Sequence, residues 1–146
     1  MKRFEFSLAK LLNYKEQVLK REKNDLANLR KQQQQHIEEK EQLILKLKNA
    51  NDGYVICSNR GMTPPQIALA KGYINSLSDK IRELEQTIII WDKRIEKQLG
   101  VVVEATKEVS SLEKLQEKQL MDYNMASQKE EEIFISEYVS NVQFYK

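Results

Sequence analysis

Few side chains in this chain could do covalent chemistry. His36 and Cys57 are its single histidine and single cysteine. Nucleophilic catalysis needs a nucleophile with a base in reach, and a zinc centre needs several His or Cys ligands, so one of each completes neither set. No glycine-rich phosphate loop and no HExxH segment occurs. Glu130-Glu131-Glu132 reads as a solvated run rather than an acid–base pair. The chain therefore reads as a non-enzyme with no catalytic residue, no metal and no cofactor. What remains is the chemistry of binding, carried by apolar and aromatic residues, and that depends on the elements that display them.

The strongest of those elements is a stepped apolar series from Ile67 to Leu112. Ile67, Ile74, Ile81, Ile88, Ile95, Val102 and Val109 recur every seventh residue, with Ala70, Leu77, Leu84, Trp91, Gln98, Ala105 and Leu112 between them. In a chain 40% hydrophobic, chance would fill roughly six of these fourteen sites, yet only Gln98 misses, which marks a coiled coil. β-Branched residues throughout the first series, with Leu frequent in the second, favour a single partner helix. Trp91 reads as part of that core. Ile89 and Ile90, and Leu99, Val101 and Val103 around Val102, put apolar residues where water is expected, which suggests partner contact or self-association.

Composition fits a long helical protein: 32% of residues are charged, with only four Gly and two Pro in 146. The 24 basic and 22 acidic residues interleave, so the concentrated basic field of a nucleic-acid binder is missing and no nucleic-acid partner is expected. A lone Cys57 excludes an internal disulfide and suits a reducing compartment. No apolar run reaches the ~18–20 residues of a membrane span. The first residues, broken by Lys2, Arg3 and Glu5, lack the core of a signal peptide. The expected location is the cytoplasm, at most peripheral at the cytoplasmic face of the cell membrane, with no membrane insertion.

Taken in order, a single domain over 1–146 is expected. Helix one runs from about 7 to about 51, with Ser7 as its cap and Asn51-Asp52-Gly53 as its end signal. Its seam is Leu8, Leu12, Lys15, Leu19, Glu22, Leu26, Leu29, Gln33, His36, Lys40, Leu43, Leu47 and Ala50, more polar than that of helix two and dependent on it for stability. A connector over about 52–63 follows, with Tyr54 and Ile56 as a lid on the end of the helix pair. Thr63, Pro64 and Gln66 spell a capping box that opens helix two, which runs from about 64 to about 142. An antiparallel pairing about a midpoint near Cys57 places Lys15 near Gln98 and Gly100, a polar layer that fixes register. It also leaves helix two overhanging after about 112.

Phe4-Glu5-Phe6-Ser7-Leu8-Ala9-Lys10-Leu11-Leu12, then Lys15-Glu16, and Leu112-Glu113-Lys114-Leu115-Gln116-Glu117-Lys118 before an acidic and apolar tail, together resemble the flagellar FliJ family over nearly the whole chain. The resemblance implies an all-α fold, a long two-helix antiparallel coiled-coil hairpin similar to the stalk of the rotary ATPase gamma subunit. It implies a stalk in flagellar type III protein export that binds the hexameric export ATPase and the cytoplasmic domain of the export gate, and that escorts substrate chaperones. By position the gate contact falls on Tyr73, Leu77, Lys80 and Leu84. Tyr73 and Leu77 match the family's aromatic–leucine pattern, while Lys80 and Leu84 depart from it. The overhang offers Leu112, Leu115, Leu120, Tyr123, Ile133, Phe134 and Tyr138 to the ATPase ring. The equivalent stalk of a virulence secretion system, a coiled-coil holdase and a self-associating structural rod are the competing readings.

Overall fold

The computed structural model describes residues 2–144, Phe144 by its backbone alone. Two helices make up its regular structure: α1, Ala9–Arg60, and α2, Pro64–Phe144. No strand occurs among the described residues, and the fold is all-α. All thirteen seam positions expected of helix one, Leu8 just ahead of α1 and twelve within it, and all fourteen of α2 are buried or half-buried. The seven-residue repeat thus identifies the inward stripe of both helices residue by residue.

The chain divides into two units, each containing a stretch of both helices. The first combines residues up to Glu22 with those from Val102 onward. Its core is Phe6, Leu12 and Val109, with Phe4, Leu8, Leu19, Leu112 and Leu115 packed around it. The helices run antiparallel there, since Lys15 meets Glu108 while Phe4 meets Tyr123. The second unit, Lys23–Val101, contains the turn. Lys40 meets Glu85, His36 meets Trp91 and Gln33 meets Ile88 and Asp92, again an antiparallel pair.

The turn is not where the end signals place it. Asn51-Asp52-Gly53 lies inside α1, which continues to Arg60, and only Gly61-Met62-Thr63 connects the helices. A helical glycine costs about 1 kcal/mol relative to alanine. Continuing the helix places Ala50, Gly53, Tyr54 and Cys57 on one groove with Met62, Ala70, Tyr73 and Ile74, and half-burying Ala50, Tyr54, Ala70 and Ile74 there outweighs a weak local preference. Tyr54 is consequently half-buried in the helix pair, while Val55 and Ile56 face outward and form no lid. Gly61 is the true terminator. Its φ is +97°, in the left-handed region, and its N–H donates to the Ser58 carbonyl at 3.2 Å.

At the start of α2 the capping signals are realised. The Thr63 N–H donates to Gln66 Oε1 at 3.0 Å, and the Ile67 N–H donates to the Thr63 carbonyl at 3.0 Å. At the start of α1 they are not. The helix opens with the Leu12 N–H donating to the Leu8 carbonyl, which puts the cap on Leu8 rather than Ser7. Ser7 instead forms a turn in which the Ala9 N–H donates to the Phe6 carbonyl. That turn swings residues 2–6 back along α2, burying Phe6.

Because the turn lies later than Cys57, all pairing is displaced toward the C-terminus of α2. The expected layer of Lys15 with Gln98 and Gly100 is replaced by a Lys15 pair with Glu108, ten residues further along α2 than Gln98. The helix pair does not give out at Leu112, for Leu115 and Tyr123 still pack against the N-terminal segment. The free length of α2 begins near Ser127.

Two glycine substitutions separate the competing end signals. A Cβ at Gly53 meets open space and at Gly61 a left-handed backbone. Gly53→Ala is expected to raise stability by about 1 kcal/mol and Gly61→Ala to lower it by about 1–2 kcal/mol, read from urea denaturation. A Gly53→Ala protein less stable than its parent contradicts this placement of the turn.

Candidate interaction surfaces

The polar seam positions of α1 are the first candidates, because a half-buried polar group in an apolar stripe needs a partner. Three of them reach to acidic residues flanking the seam of α2. Lys15 Nζ lies 2.8 Å from Glu108 Oε2, Lys40 Nζ lies 3.4 Å from Glu85 Oε1, and Gln33 Nε2 donates to the Asp92 carboxylate and to the Ile88 carbonyl. The hydrogen bond to Glu108, and then its charge, holds the Lys15 ammonium above the ordinary lysine range. His36 and Trp91 fill a further layer with ring centroids 5.8 Å apart, and the Arg94 guanidinium lies 4.9 Å over the indole. These groups hold the helices together and are not free to meet a ligand.

The residues the resemblance points to divide in the same way. Of the four gate positions, Leu77 is buried and Leu84 half-buried in the seam, whereas Tyr73 and Lys80 are exposed. Tyr73 shares the outer face of α2 with Leu69, whose exposure of 77% is the highest among the large apolar residues. Of the seven ring positions, Leu112 and Leu115 pack against the Phe6 cluster. Tyr123 stacks at 5.5 Å on Phe4 and donates its hydroxyl hydrogen to the Lys2 carbonyl. Leu120, Ile133, Phe134 and Tyr138 remain exposed.

Past Ser127 the character of α2 changes. Every residue from 128 to 143 is exposed, among them Ile133, Phe134, Ile135, Tyr138, Val139 and Val142. A solitary helix in water gains little from such residues and is marginally stable alone, so this density of apolar surface makes the segment a candidate contact region. Leu69 stands outside the seven-residue repeat and is singled out only by its exposure, whereas Ile135, Val139 and Val142 belong to the apolar tail that the sequence already offers to a partner. Ile89 and Ile90 are exposed as their position outside the repeat implies.

Among the described residues no group of His, Cys, Asp or Glu is placed to hold a metal, and no helix is long and apolar enough to cross a membrane. Two long helices, paired through one stripe and carrying surplus apolar residues outside it, define a coiled-coil binding component. The model of the flagellar FliJ protein family matches residues 4–141, and the chain belongs to that family. Membership makes it a component of flagellar type III protein export, in a family of structural export proteins rather than enzymes. Comparison with curated proteins and with solved structures finds no match.

Glu108→Gln removes a charge partner while keeping the side-chain shape. Lys15 has its raised pKa only in the folded state. Its contribution is therefore complete below the ordinary lysine pKa and lost as pH rises through the raised folded value. The variant is expected to melt slightly lower than its parent near neutral pH and to lack that alkaline component of destabilisation. Melting curves that superimpose at all pH values would remove the Lys15 pairing from the account.

Proposed function

We propose that this chain is the non-enzymatic stalk of a flagellar export apparatus, docking by the free length of α2 on the export ATPase ring. The observation that carries the reading is the exposed apolar segment beyond Ser127 in a chain of this family. Leu120, Ile133, Phe134 and Tyr138 make the ring contact in this proposal. Leu112, Leu115 and Tyr123 support it from behind by anchoring the N-terminal segment to α2. The gate's cytoplasmic domain contacts the outer face around Tyr73 and Lys80, with Leu77 and Leu84 acting through the seam that holds that face rigid. The proposal further includes escort of substrate chaperones, and a position at the cytoplasmic face of the membrane through protein contacts.

Physically, a helix pair supplies what a stalk needs. Its own stripe holds it together, so its remaining surfaces can be spent on partners without loss of the fold. Uncharged stretches such as Pro65, Ala68, Leu69, Gly72 and Tyr73 give one such surface, and the distal segment gives another.

The test is ATP hydrolysis by the cognate export ATPase, titrated with the full chain and with a version ending at Ala126. That end point keeps Leu112, Leu115 and Tyr123, and hence the Phe4 and Phe6 contacts. Stimulation by the full chain and its loss in the shortened one is the expected result. Equal stimulation by both moves the ring contact off the distal segment, and no stimulation by a folded full chain defeats the stalk reading.

A further inference from the structure

Stepping by sevens from Val102 and Val109, the inward series of α2 passes Gln116 and Tyr123 and arrives at Glu130 and Glu137. Where the first two are buried and Tyr123 is half-buried against Phe4, the last two are exposed. The stripe that begins apolar therefore ends acidic. Glu130, Glu131 and Glu137 line a shallow groove together with Ile133, Phe134 and Ser127. Beside it, Ile135, Tyr138, Val139 and Val142 recur at three- and four-residue steps and form an exposed apolar ridge.

An aromatic groove bounded by carboxylates suits an ammonium or guanidinium on a long aliphatic stem. The stem lies on Phe134 and Ile133 while the head meets the carboxylates of Glu131 and Glu137. The chain already uses this arrangement between its own helices, where Lys15 and Lys40 of the α1 seam reach Glu108 and Glu85 of α2. In both cases α2 supplies the acid and the incoming helix supplies the base.

We propose that the segment from Ser127 to Val142 docks an amphipathic helix of another protein, one whose apolar stripe is edged by Lys and Arg. Its apolar residues cover Ile135, Tyr138, Val139 and Val142, and its basic side chains enter the groove at Phe134. This rests on reading the segment as the partner-binding end of the chain, and it names the chemistry of that partner. Charge selects among occupants. Against four glutamates the segment carries one base, Lys129, so an anionic lipid surface is repelled, and a second copy brings the same acids to the same place.

The experiment titrates the full chain into a fluorescein-labelled peptide of about 18 residues, Leu and Lys patterned for an amphipathic helix, and reads anisotropy. A Leu–Glu peptide of identical pattern is the control. The Leu–Lys peptide is expected to bind, and the Leu–Glu peptide to fail. Affinity is expected to fall about tenfold in Glu131→Gln/Glu137→Gln and in Phe134→Ser/Val139→Ser. Both variants should keep the parent melting temperature, because these residues lie outside the helix pairing. Binding that is equal in parent and variants overturns the proposal, as does no binding at all. Sedimentation showing a parent dimer that Phe134→Ser/Val139→Ser dissolves also overturns it, in favour of a second copy. None of these readings involves the export ATPase, so failure here leaves the stalk function to its own test.

Discussion

The structure depends on how α1 satisfies the polar residues in its own seam. A stripe that includes Lys15, Gln33, His36 and Lys40 leaves these side chains half-buried beside an apolar surface, where their charges and amides still need partners. Each of the three longest escapes sideways to an acid on α2, at Glu108, Asp92 and Glu85, while His36 stacks on Trp91. These contacts select the register. Slipping α2 by one heptad would present Lys15 with Val101 or Leu115, and Lys40 with Ser78 or Asp92. The apolar repeat tolerates such a slip, since one isoleucine replaces another, and Glu85 and Asp92 lie one repeat apart, but Glu108 has no acid seven residues to either side, so Lys15 is the residue that loses its partner. Exposed pairs of this kind stabilise little individually; their importance here lies in choosing among nearly equivalent pairings.

Register in turn decides what the ends of the chain do. With Lys15 at Glu108, the extended residues ahead of α1 reach as far as Tyr123, and the aromatic pair Phe4 and Phe6 becomes packing for α2. Within the second unit, the short turn at Gly61-Met62-Thr63 keeps Tyr54 and Gly53 on one groove with Ala70, Tyr73 and Ile74. From 128 to 143 every residue of α2 is exposed. Its Ile135, Tyr138 and Val142 keep three- and four-residue steps but lie off the seam that pairs the helices.

The helical stripes were legible in the sequence because a heptad repeat is a long, redundant signal: twenty-seven seam positions were named from spacing, and each is shielded. Single-site punctuation was less reliable. Asn51-Asp52-Gly53 looks like an end and is not, since about 1 kcal/mol of local preference yields to packing on both sides of it. Gly61 looks similar and is an end, because its φ of +97° suits glycine best. Ser7 looked like a cap but gives way to Leu8 once Phe6 is drawn into the core. The contact surfaces were legible only where they broke the repeat, as at Ile89, Phe134 and Tyr138. Leu77, Leu84, Leu112 and Leu115 obey the repeat or pack beside it, and the structure employs them in packing.

Family membership gives the process, flagellar protein export, and the structure gives the surfaces available for it. The central claim is that the helix beyond Ser127 is where this chain meets the export ATPase. Amide hydrogen exchange across the full chain, followed by mass spectrometry with and without the assembled ATPase, tests it most directly. The account predicts fast exchange from 128 to 143 in the free chain and slowed exchange in that segment when the ATPase is added, with the seam residues of Lys23–Val101 unchanged. Protection that appears elsewhere, with 128–143 exchanging as fast as before, would contradict it.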